Sequence, residues 1–414
     1  MVSIPTWHIT TFESLMLVLL ASFLVPIIIS RFKRIEMPIV VGEIIAGMIL
    51  GPSLLGIIDG QGEILLFFRK FGLGYLMFIA GMEIDFTMIG KISKSAGEAK
   101  AKMMSHPLFL ASITFFLTLL LSVIISKGLE ERELIENPWM FALILSTTSL
   151  GVVLPVLKEK GLSETLFGQT VLMSALFADF LTMLLISILA TYLEGGINIE
   201  MMLVFFLFLA CAILYRTGIV AQQSTRINKL FDDLSHATAQ IKLRASLAIF
   251  VGFIVLAEFL NAEMILGAFV AGVVISLLTT SPDRKVEKDL EAFGFSFFIP
   301  VFFVLVGVGF DIRELTASNE ALLLVPVLLV AALVVKFIPT LLFRISFTWT
   351  ETIAAGSLLS ARLSLIIAAS LIALDLGIVT PAVNSAIILV AIITVTLSPI
   401  LFSQLMPNGK SEEE

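Results

Sequence analysis

Cysteine occurs once in 414 residues, at Cys211, so no internal disulfide is possible. Histidine occurs three times, at His8, His106 and His236, each expected in a loop or at a helix end. No metal-ligand spacing and no Ser/His/Asp arrangement can be assembled from so few, and no Gly-rich phosphate loop follows a strand. The chain is therefore not expected to be an enzyme, and no cofactor or resident metal is implied. Charge is also scarce. Only 14% of residues are charged, against about 25% in soluble domains. The net charge of −7 includes an acidic tail, Ser411 to Glu414, and gives no basic footprint for nucleic acid.

Apolar residues fill the space, at 58% of the chain. A membrane-spanning helix needs about 20 of them in a run. Such runs predict about 13 helices, at 11–30, 38–56, 64–84, 107–126, 138–157, 165–193, 198–216, 241–261, 263–280, 289–310, 320–346, 351–374 and 380–405. The first lacks a basic flank before it and a small-residue cleavage site after it, so it reads as a retained helix. With the N-terminus outside and the C-terminus inside, nineteen Lys and Arg fall in cytoplasmic loops and at most five outside.

The chain repeats itself. "GEIIAGMIL" (Gly42 to Leu50) is similar to "GAFVAGVVI" (Gly267 to Ile275). "FIAGMEID" (Phe78 to Asp85) is similar to "VLVGVGFD" (Val304 to Asp311), at an offset longer by a single position. Two ordered matches at nearly one offset point to a duplicated unit, with repeats at about 11–193 and 241–405 and a linking helix at about 198–216. The matched helices lie an odd number of spans apart, so the copies are inverted in the bilayer, a plan that places transporter sites at the repeat interface. Residues 1–410 then form one transmembrane unit. Gly42, Gly47, Gly51, Gly267 and Gly272 read as close helix packing.

Three charges fall near mid-membrane. At 1.5 Å per residue, Asp179 lies roughly 21 Å into the sixth span, Lys336 roughly 24 Å into the eleventh and Arg362 roughly 16 Å into the twelfth. Each costs at least ~2.5–3.5 kcal/mol there and marks function by default. The competing reading is a structural ion pair that locks helices together. Asp179 has Ala175 and Met183 one turn away, so its own helix offers no cation. A carboxylate in a watered cavity can hold a proton or a monovalent cation and exchange one for the other. "LSTTSLGVVLP" (Leu145 to Pro155) interrupts the fifth span with hydroxyls, a glycine and a proline. That composition suits an unwound helix whose carbonyls coordinate a cation, with Thr147 and Thr148 beside the site. "GSLLSARLS" (Gly356 to Ser364) does the same in the second half, around Arg362. Glu43, Glu83, Asp85 and Asp311 read as acids at helix ends, with Glu83 the best placed to pair with Arg362.

"VGEIIAGMILGPSLLG" (Val41 to Gly56), "LMFIAGMEID" (Leu76 to Asp85), "LSTTSLGVVLPVLKEKG" (Leu145 to Gly161) and "FFIPVFFVLVGVGFDI" (Phe297 to Ile312) together resemble the Kef-type branch of the monovalent cation:proton antiporters, in the wider sodium–hydrogen exchanger group. The resemblance covers about residues 10–405. It implies an all-α sodium/proton antiporter fold of 13 helices in two inverted repeats, with crossed discontinuous helices beside an ion-binding aspartate. It also implies a core domain that rocks against a dimerisation domain, hence a homodimer. By the resemblance Asp179 is the binding aspartate, Thr148 the threonine of the unwound stretch, Lys336 the lysine of the "VVKF" helix and Arg362 the arginine of a later motif. Two departures stand out. Ala178 precedes Asp179 where many relatives carry a second polar residue, and Arg362-Leu363-Ser364 lacks the acid of an Arg-Gly-Glu motif. A nucleotide-binding regulatory extension is not expected, since the last span ends about ten residues before Glu414.

The expected function is exchange of Na⁺ or K⁺ for H⁺ across a cell membrane by alternating access. Asp179, Thr147 and Thr148 would hold the ion, and Lys336, Arg362 and Glu83 would balance charge. The alternatives are a gated K⁺ efflux pore and a sensor that no longer transports.

Overall fold

The structure is a computed structural model and describes residues 11–31, 38–83, 107–163, 165–196, 209, 213, 241–260, 263–278 and 285–406. The described elements are helical throughout. They are α1 (Thr11–Arg31), α2 (Ile39–Leu50), α3 (Glu63–Met82), α4 (Pro107–Glu130), α5 (Pro138–Ser146), α6 (Leu150–Glu159), α7 (Leu166–Gly195), α8 (Ile241–Phe259), α9 (Met264–Leu278), α10 (Lys285–Phe293), α11 (Ile299–Val308), α12 (Ile312–Ala317), α13 (Asn319–Thr340), α14 (Trp349–Leu359), α15 (Ser364–Asp375) and α16 (Pro381–Leu405). Each predicted span has its counterpart except 198–216, which apart from residues 209 and 213 lies outside the described residues, as do Asp85, Cys211 and the three histidines. Nine helical stretches among the described residues are long and apolar enough to cross a membrane, and α2 and α9 are shorter apolar helices.

Local chemistry sets several boundaries. The Asn137 side chain accepts the Met140 N–H at 3.0 Å and Pro138 follows, so α5 starts where two helix-start signals coincide. Thr348 and Glu351 form a reciprocal capping box at the head of α14. The tenth predicted span is not one uniform helix. It runs from α10 through a π-helical turn, Gly294–Phe298, into α11. Pro300 stands at the head of α11, where its missing N–H costs least. The second span ends earlier than the predicted 56, at Leu50, because Gly51 and Pro52 take the chain into a turn.

The chain forms two compact units. One holds residues 1–72, 102–179 and 297–414, and the other holds residues 73–101 and 180–296. In the first unit α2 meets α11 backbone to backbone. A Cβ on Gly47 would overlap the Val304 carbonyl oxygen, and a Cβ on Gly307 would overlap the Ile44 carbonyl oxygen. In the second unit a Cβ on Gly81 would overlap the Phe269 carbonyl oxygen, and one on Gly272 the Phe78 carbonyl oxygen. Gly272 is the repeat equivalent of Gly47, and Gly307 is the repeat equivalent of Gly81. The repeat offset therefore converts one glycine pair into the other. Gly42 and Gly267 follow the same rule. Gly42 abuts Val25 and Ile29 of the helix before it, and Gly267 abuts Phe253 and Ala257 of the helix before it. Only glycine allows helices this close, and the two glycine pairs fall at positions that the sequence offset relates to each other.

Candidate functional site

The first unit contains two interrupted helices. Between α5 and α6 the chain leaves helical geometry at Thr147 (φ −57°, ψ 154°) and Ser149 (φ −137°, ψ 105°). Between α14 and α15 it turns at Ser360 to Leu363, with Leu363 at φ −144° and ψ −80°. Hydroxyls occupy both breaks. Ser146 and Thr147 donate to the Leu143 and Ile144 carbonyls, at 2.9 and 2.8 Å, and Ser360 donates to Gly356 O at 2.7 Å. These bonds supply donors to carbonyls near the ends of α5 and α14, where the regular ladder runs out.

The two breaks meet. The Thr148 hydroxyl donates to Leu359 O, the last residue of α14, at 3.3 Å. Arg362 reaches back to Leu145 O near the end of α5 at 2.9 Å. It also donates to Ala332 O of α13 at 2.8 Å and to Ser360 O at 3.1 Å. Arg362 is fully buried, and its Nε has no partner among the described residues. Lys336, 4% exposed, projects from α13 and donates to Ser146 O at 2.7 Å and to Thr148 Oγ1 at 2.6 Å. Lys336 through Ser146 O, and Arg362 through Leu145 O and Ser360 O, thus address oxygens at or near helix C-termini, where the helix dipole is negative, while Ala332 O lies within α13.

Asp179 takes the opposite pole. It stands on α7, roughly 20 Å from that helix's start, and its Oδ2 accepts the Leu150 N–H at 2.9 Å. Leu150 is the first residue of α6, so the carboxylate caps a positive helix end inside the unit. Its other oxygen, Oδ1, is buried with no hydrogen-bond partner among the described residues. Asp179, Thr147, Thr148, Lys336 and Arg362 therefore belong to one constellation built on two broken helices. Lys336 does not spend its donors on Asp179. Where Ala178 offers no second acid, the lysine has found a carbonyl and a hydroxyl of the unwound stretch.

Glu83 immediately follows α3, its N–H donating to Ile79 O at 3.1 Å. Arg362 donates to the carbonyls of Leu145, Ala332 and Ser360. Glu43, read as a solvated helix end, is instead buried at 3% exposure. The functional groups that sequence reasoning missed are backbone ones, namely Leu150 N–H and the carbonyls of Leu145, Ser146, Ala332 and Leu359. Residue type carries no signal for them, except that a hydroxyl-rich break must expose some.

Two interrupted helices meeting beside a buried carboxylate, in a chain of long apolar helices with an internal repeat, define an integral membrane protein with the sodium/proton antiporter fold. The solved structure of the sodium proton antiporter MjNhaP1 from Methanocaldococcus jannaschii shares this fold, with a TM-score of 0.65 at 18% identity, covering 97% of this chain and 99% of that one. The family model described as sodium/hydrogen exchanger, transmembrane, matches residues 19–406. The chain belongs to that family. It is 37% identical over 405 residues to the putative Na(+)/H(+) antiporter YjbQ of Bacillus subtilis, with 98% of this chain spanning 65% of that protein's length. It is 28% identical to the probable Na(+)/H(+) antiporter 3 of Methanocaldococcus jannaschii, with 92% of each covered. It is 26% identical to the Na(+)/H(+)-K(+) antiporter GerN of Bacillus cereus, with 88% of this chain and 89% of that one covered.

Proposed function

We propose that this protein exchanges a monovalent cation, Na⁺ or K⁺, for H⁺ by alternating access, and that it is a transporter with no enzymatic step. The observation that carries the reading is the buried, unpartnered Oδ1 of Asp179 beside the unwound Thr147–Ser149 stretch. A buried carboxylate oxygen left alone is costly. A proton or a small cation can satisfy it, and only one of them at a time. That competition couples the two fluxes. Backbone and hydroxyl oxygens of Thr147 and Thr148 complete the cation's shell, while Leu150 N–H holds the carboxylate in place.

Lys336 and Arg362 keep the facing helix ends neutral when the cation is absent. The names of the relatives favour Na⁺ as substrate, and GerN's name adds K⁺ as a candidate. The working form is read as a homodimer in the cell membrane, its N-terminus outside and its C-terminus cytoplasmic, with residues 1–410 as one transporter unit.

The test is proton flux in sealed proteoliposomes carrying a preset pH gradient and an internal pH dye. Na⁺, K⁺ and Li⁺ are added in turn, with and without a potential clamp. Cation-triggered proton movement that vanishes in Asp179→Asn supports the exchanger. Proton movement that persists in that variant removes Asp179 from its role. Silence with every cation would favour a sensor, to which the missing acid at Ala178 lends its only structural support.

A further inference from the structure

Glu43 sits on α2, one turn before Gly47 and next to Gly42. Both neighbours are packing glycines. Gly42 faces α1 at Val25 and Ile29, and Gly47 faces α11 at Val304 and Gly307. Glu43 as a residue is 3% exposed, and no hydrogen bond or ion pair of its side chain is found among the described residues. Few charges surround it. α11 contains no titratable side chain. α1 carries Glu13 in its first turn and Arg31 in its last, and Arg31 is exposed. The segment joining α1 to α2, outside the described residues, contributes Lys33, Arg34 and Glu36 in sequence.

The repeat provides an internal control. The position equivalent to Glu43 in the second copy is Ala268, which is 0% exposed and lies between the same two kinds of contact, Gly267 on the preceding helix and Gly272 on the glycine of α3. A methyl group fills that slot in the second copy. Packing therefore does not require a carboxyl in the first. An unpaired carboxylate among apolar helices is expensive, whereas a neutral carboxylic acid is tolerated at far lower cost. Nothing in the Asp179 site uses this group.

We propose that Glu43 is a second proton-binding site of this protein, separate from Asp179. The bound species is H⁺ alone, taken from and returned to water. The carboxylic acid form fits the α1–α2–α11 packing. The ionised form leaves a lone charge there, which water or a cation must enter to balance.

The experiment is infrared spectroscopy of the full chain reconstituted in lipid near neutral pH, in water and in deuterated water, where a protonated carboxyl has a C=O band distinct from carboxylates. The wild-type-minus-Glu43→Gln difference is expected to contain that band, and the band is expected to persist in Asp179→Asn. A difference spectrum showing only carboxylate bands, or a band lost in Asp179→Asn and kept in Glu43→Gln, overturns the proposal. If Glu43→Gln does not fold, Glu43→Ala copies the residue of the second repeat and gives the same subtraction. The readout needs no transport, so an absence of cation-driven flux in the wild type would count against the exchanger reading and leave this one standing.

Discussion

The Lys336 ammonium is hydrogen-bonded to the Thr148 hydroxyl at 2.6 Å, and that hydroxyl donates onward to Leu359 O at 3.3 Å. One side chain from α13 thus ties the break of one discontinuous helix to the end of the other. The chain Lys336–Thr148–Leu359 holds the two breaks in register, and Asp179 accepts the Leu150 N–H beside them.

Replacing Lys336 by Met should unfold this register. It leaves Ser146 O and Thr148 Oγ1 buried without their donor, at a cost of about 1–3 kcal/mol. Thr148→Val alone should cost about 1 kcal/mol. The double variant should be less destabilised than the two single effects combined, since both delete one shared bond. Thermal unfolding of the three variants in one detergent measures the coupling. Strict additivity would show that the bond does not bind the breaks together.

Asp179→Asn should leave the fold intact, because an amide oxygen still accepts the Leu150 N–H. It removes a charge-assisted contact to the cation, worth about 1.5–3 kcal/mol, so cation affinity should fall about 10- to 100-fold. Exchange should stop, since Asn cannot trade a proton. Cation-dependent thermal stabilisation gives the affinity independently of flux.

Arg362→Lys should not substitute. A planar guanidinium reaches Leu145 O, Ala332 O and Ser360 O together, and an ammonium on a shorter reach cannot hold the same fork. The loss should be about 1–3 kcal/mol, seen as a lower unfolding temperature with or without cation. A Lys variant as stable as the wild type would show that the carbonyl contacts carry no weight.

Gly47→Ala and Gly81→Ala should both destabilise, by about 1–3 kcal/mol each, since either methyl would overlap a carbonyl on the facing helix. Gly252→Ala, where a Cβ would meet nothing within 4 Å, should be neutral or stabilising by about 0.5–1 kcal/mol. Expression level and thermal unfolding report the contrast.

Much of this was legible in the sequence because the physics that produces it is local. Long apolar runs need only composition, and most of their helices fall within a few residues of the expected bounds. The first break was expected from hydroxyls followed by a proline, and it falls at Thr147–Ser149. Pro155 lies inside α6 instead. The hydroxyls mark the break, and the proline only weakens a helix already restarted. The partners of Arg362 and Lys336 were not legible, because carbonyl oxygens have no residue letter. The burial of Glu43 was not legible either. It depends on α1 and α11 closing over the start of α2, which no window of sequence around residue 43 contains.

The glycine pairs have one further consequence. Gly47 comes from the first repeat and its mate Gly307 from the second, while Gly81 comes from the first and its mate Gly272 from the second. Each half of the sequence offers one glycine to each handshake and completes neither by itself. The halves are therefore not separable modules joined by a tether. They are interlocked like two copies of an obligate dimer whose chains happen to be fused, and cutting the chain anywhere in residues 217–240 should yield fragments that assemble only when made together.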